Sequence, residues 1–292
     1  MINKIIVEVE STNTKIDLYD GNEVKRIEEV TILFKKNYVE NGRIDEKDVN
    51  KLIKKILELK IKYNDIYICG TSIFRTLKNQ EKEEFLNYFK EKTGIEFNII
   101  SADEETILTV KGATKNIKEK ACVFICGGGS VGLSFYDKKI INLENTSFGV
   151  IDIIKKFPDL ADNYATTPLE EVMDYIEKRI NIPDDSADIL ILAGGAHIRF
   201  VKGIGMKYRN NDLYKDIAAP IIQNSEDRIK ETKKFFEEIS LDEIRNKSKN
   251  SQWWDATRAM CAFVLVVIKH IKPKYIVATD ISMVYGLLDE EI

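Results

Sequence analysis

The chain has 292 residues, enough for one large domain or two medium ones with a substantial core. With 44% hydrophobic and 32% charged residues it reads as a soluble globular protein, and a net charge of −4 leaves no global basic field to attract nucleic acid or an anionic membrane. The four cysteines (Cys69, Cys122, Cys126, Cys261) lie in apolar runs without zinc-like spacing, and the first dozen residues lack a basic-then-apolar leader pattern, so a reduced, cytoplasmic setting is expected.

Residues 4–10 alternate as a strand, Ser11-Thr12-Asn13-Thr14 forms a polar turn, and alternation resumes over 15–19. Asp20-Gly21-Asn22 signals a hairpin into another alternating stretch, 23–34, so the chain opens as an antiparallel meander. Asp45 has the chemistry of a helix N-cap, and Val49, Leu52, Ile53 and Ile56 follow at helical spacing. A buried strand is predicted over 65–69 and an amphipathic helix over 81–93, closed by Gly94. A strand over 96–100 then leads to a helix over 104–112 with a capping-box start at Ser101.

After the charged stretch 116–120 the opening plan returns: strand 122–126, a turn at Gly127-Gly128-Gly129-Ser130, strand 131–136, a second turn, and strand 140–145. Helices are predicted over 148–156 and 168–180. A buried strand over 188–192 ends at Ala193-Gly194-Gly195-Ala196, which opens residues 198–201. The last third is mostly helical, over 225–239, 241–245 and 253–271, with a final strand at 275–278 before Thr279-Asp280 and a closing helix. The apolar run 259–268 is about half a membrane span and reads as a core helix. The basic runs 230–234 and 247–249 read as solvated surface. Two halves with one opening plan suggest a duplicated α/β protein, divided into residues 1–117 and 118–292.

The glycines at 127–129 free the backbone for positive φ and remove every Cβ that would hold a ligand away. Successive N–H groups in such a turn converge on an anion, most often phosphate. Strand follows strand here, so the turn is neither a Walker A loop nor a dinucleotide fingerprint, both of which open a helix. A phosphate-cradling hairpin and an ordinary tight hairpin are both compatible with the glycines alone. His197 and His270 are the only histidines; neither joins a recognisable nucleophile motif, and both read as structural.

Five segments taken in order carry a resemblance. They are Gly70-Thr71-Ser72-Ile73-Phe74-Arg75 with Asn79, Thr93-Gly94-Ile95-Glu96 with Ser101-Ala102-Asp103-Glu104-Glu105, Gly127-Gly128-Gly129-Ser130, Gly194-Gly195-Ala196, and Thr279-Asp280 with Tyr285-Gly286-Leu287-Leu288. Together they resemble the exopolyphosphatase/guanosine pentaphosphate phosphatase family in its short two-domain form, within the actin/hexokinase/Hsp70-like ATPase superfamily. The resemblance runs along nearly the whole chain. It implies an α/β fold of duplicated actin-like (ribonuclease H-like) domains, with mixed five-stranded sheets flanked by helices and a cleft between the domains.

The resemblance also implies an activity, release of terminal phosphate from polyphosphate or guanosine pentaphosphate. Glu105 falls at the position of the base toward the attacking water, and Arg75 at that of a phosphate-binding cation. Phosphate would be held at Ser11, Thr12, Asn13, Thr14 and Lys15, at Gly127, Gly128, Gly129 and Ser130, and at Gly194 and Gly195. Mg²⁺ is the implied cofactor, with Glu8 and Glu10 as its ligands. A homodimer acting on a small or polymeric phosphate substrate, without nucleic acid or membrane, completes the expectation. Four departures point to impairment. Glu10 stands where the family has glycine, Lys15 where it has arginine, Ile125 where it has a carboxylate, and Val131-Gly132 where it has Thr-Glu. The alternative is a non-catalytic phosphate or nucleotide sensor of the same fold. A kinase or ATPase of the wider superfamily is a third reading.

Overall fold

The computed structural model describes residues 3–209, 219–222, 225–246 and 251–288. The basic run 247–249 lies outside them. Contacts divide the chain into two compact units, Met1–Glu105 and Thr106–Ile292.

The first unit opens with β1 (Lys4–Val9), β2 (Asn13–Tyr19) and β3 (Val24–Thr31), the predicted meander. Two helices follow, α1 (Phe34–Asn41) and α2 (Glu46–Lys60), then β4 (Asp65–Gly70), α3 (Asn79–Thr93), β5 (Phe97–Ile99) and the start of α4 (Ala102–Thr114). Asp45 caps α2 by accepting from the Lys47 amide at 2.8 Å, and Gly94 ends α3 in the left-handed region at φ 71°. The α1 helix was not expected. The alternating stretch 23–34 gives way at Thr31 because Phe34 turns into the core while the Ile32 and Lys35 amides donate to the Thr12 and Ser11 carbonyls.

Sheet order is β3-β2-β1-β4-β5, with β1, β4 and β5 parallel and the meander antiparallel. Side chains alternate between the faces of a strand. Ile5, Val7 and Val9 therefore share one face, packed with Leu52 and Ile56 of α2 and with Phe85 and Phe89 of α3. Ile6 and Glu8 share the other.

The second unit repeats the wiring. It comprises β6 (Ala121–Cys126), β7 (Val131–Tyr136), β8 (Glu144–Thr146), α5 (Val150–Lys156), α6 (Leu169–Glu177), β9 (Ile189–Ala193) and α7 (Ala196–Gly203). Then come β10 (Ile221–Ile222), α8 (Ser225–Glu238), α9 (Leu241–Arg245), α10 (Thr257–Ile271), β11 (Tyr275–Ala278) and α11 (Met283–Leu287). The order β8-β7-β6-β9-β11 reproduces the first sheet strand for strand, with β10 added antiparallel at the edge. The doubled five-strand plan is present, and the unforeseen two-residue β10 makes the second sheet six-stranded.

The strand predicted over 140–145 shrinks to β8. Asn142 diverts the backbone: its Oδ1 accepts from the Phe135 amide at 2.9 Å and its carbonyl accepts from Ser134 Oγ at 2.6 Å. One face of the sheet packs on α5, α6, α8 and α10; the other packs on Val110 and Ala113 of α4. That packing draws residues 106–117 into the second unit, so the division falls inside α4. Helix α10 is buried along nearly its whole length, as its apolar run requires. Among the described residues, no helix is long and apolar enough to cross a membrane. All four cysteines are free thiols.

His197, in α7, is fully buried, and neither ring nitrogen has a hydrogen-bond partner among the described residues. Burial, with the nearby Arg228 charge, lowers its pKa from 6.5 to about 3. The unfolded chain therefore takes up a proton that the folded chain refuses. Stability is complete above the unfolded value and falls as pH drops below it, by about 2 kcal/mol on going from pH 7.5 to pH 5. Urea unfolding of the wild type and His197→Leu at the two pH values checks this. The variant is expected to lose that part of the pH dependence.

Candidate active site

In the first unit three segments meet. The β1–β2 hairpin is closed by the Glu10 amide donating to the Asn13 carbonyl at 2.8 Å, so the connection is Ser11-Thr12 and not the four residues expected. Ser11 Oγ donates to Ser72 Oγ at 2.7 Å, joining the hairpin to the 3-10 turn Ser72–Thr76. Ser72 opens that turn at φ 51°, an uncommon conformation for a residue with a side chain. Arg75, in the same turn, donates through Nε to the Ile100 carbonyl at 2.7 Å and through Nη2 to the Glu105 carboxylate.

Glu105 sits in the first turn of α4 and is mostly buried. Desolvation raises its pKa; the paired Arg75 opposes this, and the neighbouring Glu10 adds to it. A carboxylate so placed is a better proton acceptor than a free one.

Strand register fixes the rest. Glu8 and Lys15 are cross-strand partners on one sheet face, with Cys69 on the far side of Glu8. The Lys15 ammonium lies 2.6 Å from Glu10 Oε1 and 3.9 Å from Glu8 Oε2. Burial raises the Glu8 pKa to about 7 against the pull of Lys15. Burial works to lower the Lys15 pKa, but Glu10 and Glu8 together outweigh it and raise it. Thr14, by the same alternation, shares the core face with Val9. It is fully buried and its hydroxyl has no partner among the described residues, so it is turned away from the hairpin's charged face.

The implied magnesium does not fit these donors. Mg²⁺ takes oxygens at about 2.0–2.1 Å in octahedral geometry. Here the ammonium of Lys15 already lies against both carboxylates offered as ligands. Among the described residues, no three His, Cys, Asp or Glu side chains come together to hold an ion.

The second unit holds the glycine turn. The Gly127 amide donates to the Ser130 carbonyl at 2.9 Å, the same closure as at Glu10 and Asn13, so the two hairpins are structural equivalents. Each is braced by the start of the following helical segment: the Val150 and Ile151 amides donate to the Gly127 and Gly128 carbonyls. Gly149, absent from the sequence expectations, is what permits this approach. A Cβ there would lie 2.7 Å from the Gly129 and Ser130 nitrogens and 2.6 Å from the Gly127 oxygen. Gly149→Ala is expected to lower stability by about 1–3 kcal/mol through overpacking, read as a shift in the urea midpoint.

Gly132 lies beside a hydrogen-bonded Thr106–Asn145 pair: a Cβ on it would come within 2.7 Å of Thr106 Oγ1. The Gly194-Gly195 turn takes positive φ at both residues. Its two amides donate to the Ile281 and Thr279 carbonyls, so neither faces an anion unencumbered. A depression of about 1050 Å³ beside Arg43, Lys78, Glu81 and Tyr88 contains none of the expected site residues.

The sequence profile of the Ppx/GppA phosphatase family matches residues 22–291. No curated protein matches. Among solved structures, an exopolyphosphatase from Cytophaga hutchinsonii is similar with a TM-score of 0.80 at 15% identity, over 99% of this chain and 97% of that one. The Aquifex aeolicus member of the Ppx/GppA family gives 0.76 at 15% identity over 99% and 97%. Nucleoside triphosphate hydrolases from Neospora caninum give 0.59 at 9% identity over 98% and 91%. At such identities the likeness is one of fold.

Proposed function

The chain belongs to the Ppx/GppA phosphatase family, and from that premise we propose that it hydrolyses a terminal phosphoanhydride, releasing phosphate from polyphosphate or guanosine pentaphosphate. The observation that carries the reading is the Glu105–Arg75 pair beside the Ser11–Ser72 contact, a basic carboxylate and a cation at one hairpin turn. Water attacks the terminal phosphorus, its proton passes to the Glu105 carboxylate, and the bond to the bridging oxygen breaks, leaving the chain one phosphate shorter. Arg75 and Lys15 offset the charge on the phosphate oxygens. Mg²⁺, on this reading, arrives only as the counter-ion of the substrate. A cytoplasmic homodimer is part of the same proposal.

A second reading, a phosphate sensor without turnover, is favoured by the Glu10–Lys15 ion pair, which ties up one of the two cations. Phosphate release from sodium tripolyphosphate and guanosine pentaphosphate, measured together with the thermal midpoint, separates the two. Release supports the hydrolase, and a thermal shift without release supports the sensor. Neither signal with either compound overturns both.

A further inference from the structure

We propose that Glu10 is a built-in competitor for the anionic ligand: its carboxylate holds the Lys15 ammonium, and a phosphate group gains that ammonium only by displacing it. This rests on reading the first hairpin as a phosphate-binding turn.

The two cations proposed to bind phosphate are both engaged before any ligand arrives. Arg75 pairs with Glu105, and Lys15 pairs with Glu10 at 2.6 Å. Glu8 stands 3.9 Å from the same ammonium, and the Arg26–Asp17 pair lies farther along the sheet at 2.6 Å. Among the described residues, Arg75 and Lys15 are both already paired, so a phosphate that gains either cation must exchange with a carboxylate.

Glu10 is the carboxylate able to leave. It lies just beyond the last residue of β1 and its side chain is 30% exposed, whereas Glu8 lies within the strand and its side chain is only 3% exposed. Glu8 Oε2 has no hydrogen-bond partner among the described residues. When Glu10 swings out, Glu8 keeps Lys15, whose side chain is 12% exposed, anchored on the sheet face while the ammonium turns its free donors to the ligand.

Exchange selects for ligands with closely spaced charges. A chain of linked phosphates makes further contacts that compensate for the lost ion pair. Orthophosphate offers a single group and is more readily expelled, so Glu10 returning to Lys15 favours product release.

The test is titration calorimetry with sodium tripolyphosphate in the presence of EDTA, on the wild type, Glu10→Gln, Glu10→Ala and Lys15→Gln, each first shown to melt cooperatively. Both Glu10 variants are expected to bind about tenfold or more tightly than the wild type, and Lys15→Gln about tenfold or more weakly. Equal or weaker binding by both Glu10 variants, with the Lys15 loss intact, overturns the competitor role and leaves the phosphate reading standing. Absence of binding in every protein overturns that reading and the competitor with it.

Discussion

Replacing Glu105 with glutamine is expected to reduce phosphate release from tripolyphosphate by on the order of 10²–10⁴-fold, the span of a general base lost from a hydrolytic step. Glutamine keeps the length of the side chain and an oxygen that accepts from Arg75, so the local fold survives while the proton acceptor is gone. The loss should fall on kcat and leave KM nearly unchanged, because the carboxylate acts on water and not on the bound chain. The wild-type rate should also fall as pH drops through the Glu105 pKa, which burial raises above the usual carboxylate value, since the protonated acid accepts nothing. Steady-state kinetics on both proteins provide the check. A variant within about threefold of the wild type would remove Glu105 from the chemistry.

The largest stability effect is expected at Arg258, in the second unit. Its guanidinium is fully buried and donates five hydrogen bonds, all to backbone carbonyls: Phe236 at 3.1 Å, Leu160 at 3.1 Å, Asp162 at 2.7 Å, Asn163 at 2.8 Å and Ile239 at 2.9 Å. The side chain thus ties the start of α10 to residues 160–163 and to the C-terminal end of α8. Arg258→Met fills most of the volume but takes the donor from the Phe236, Leu160, Asp162 and Ile239 carbonyls, while that of Asn163 still accepts from the Leu241 amide at 3.1 Å. Each buried carbonyl so orphaned costs about 1–3 kcal/mol, so the loss should exceed about 4 kcal/mol, comparable with the whole stability of many domains. Urea unfolding monitored by tryptophan fluorescence reads this directly. A loss below about 1 kcal/mol would mean that water replaces the guanidinium and that the network is incidental.

Much of the architecture was legible without coordinates because it follows from local periodicity. Ile5, Val7 and Val9 alternate, α2 carries apolar residues at helical spacing, and Gly94 stands where only a left-handed residue ends a helix. The recurrence of strand–turn–strand at residues 4–19 and 122–136 announced the duplication, and the matched β1–β2 and β6–β7 registers bear it out. Glu105 and Arg75 are candidates on their segments alone. That they touch is not legible there, because thirty positions separate them and only the packing of α4 beside the Ser72–Thr76 turn closes the gap.

The amino-acid order by itself determined the alternation of strands and helices, the two glycine-bearing turns and the chemistry present at each. Tertiary structure alone decided which groups that chemistry engages. Register set Lys15 opposite Glu8, and the turn brought Glu10 onto the same ammonium. Alternation sent Thr14 into the core, and Gly149 was placed against the Gly127 turn. The reason is physical: secondary structure is written in neighbours a few positions apart, whereas ion pairing and close backbone approach depend on residues that chain folding alone makes adjacent.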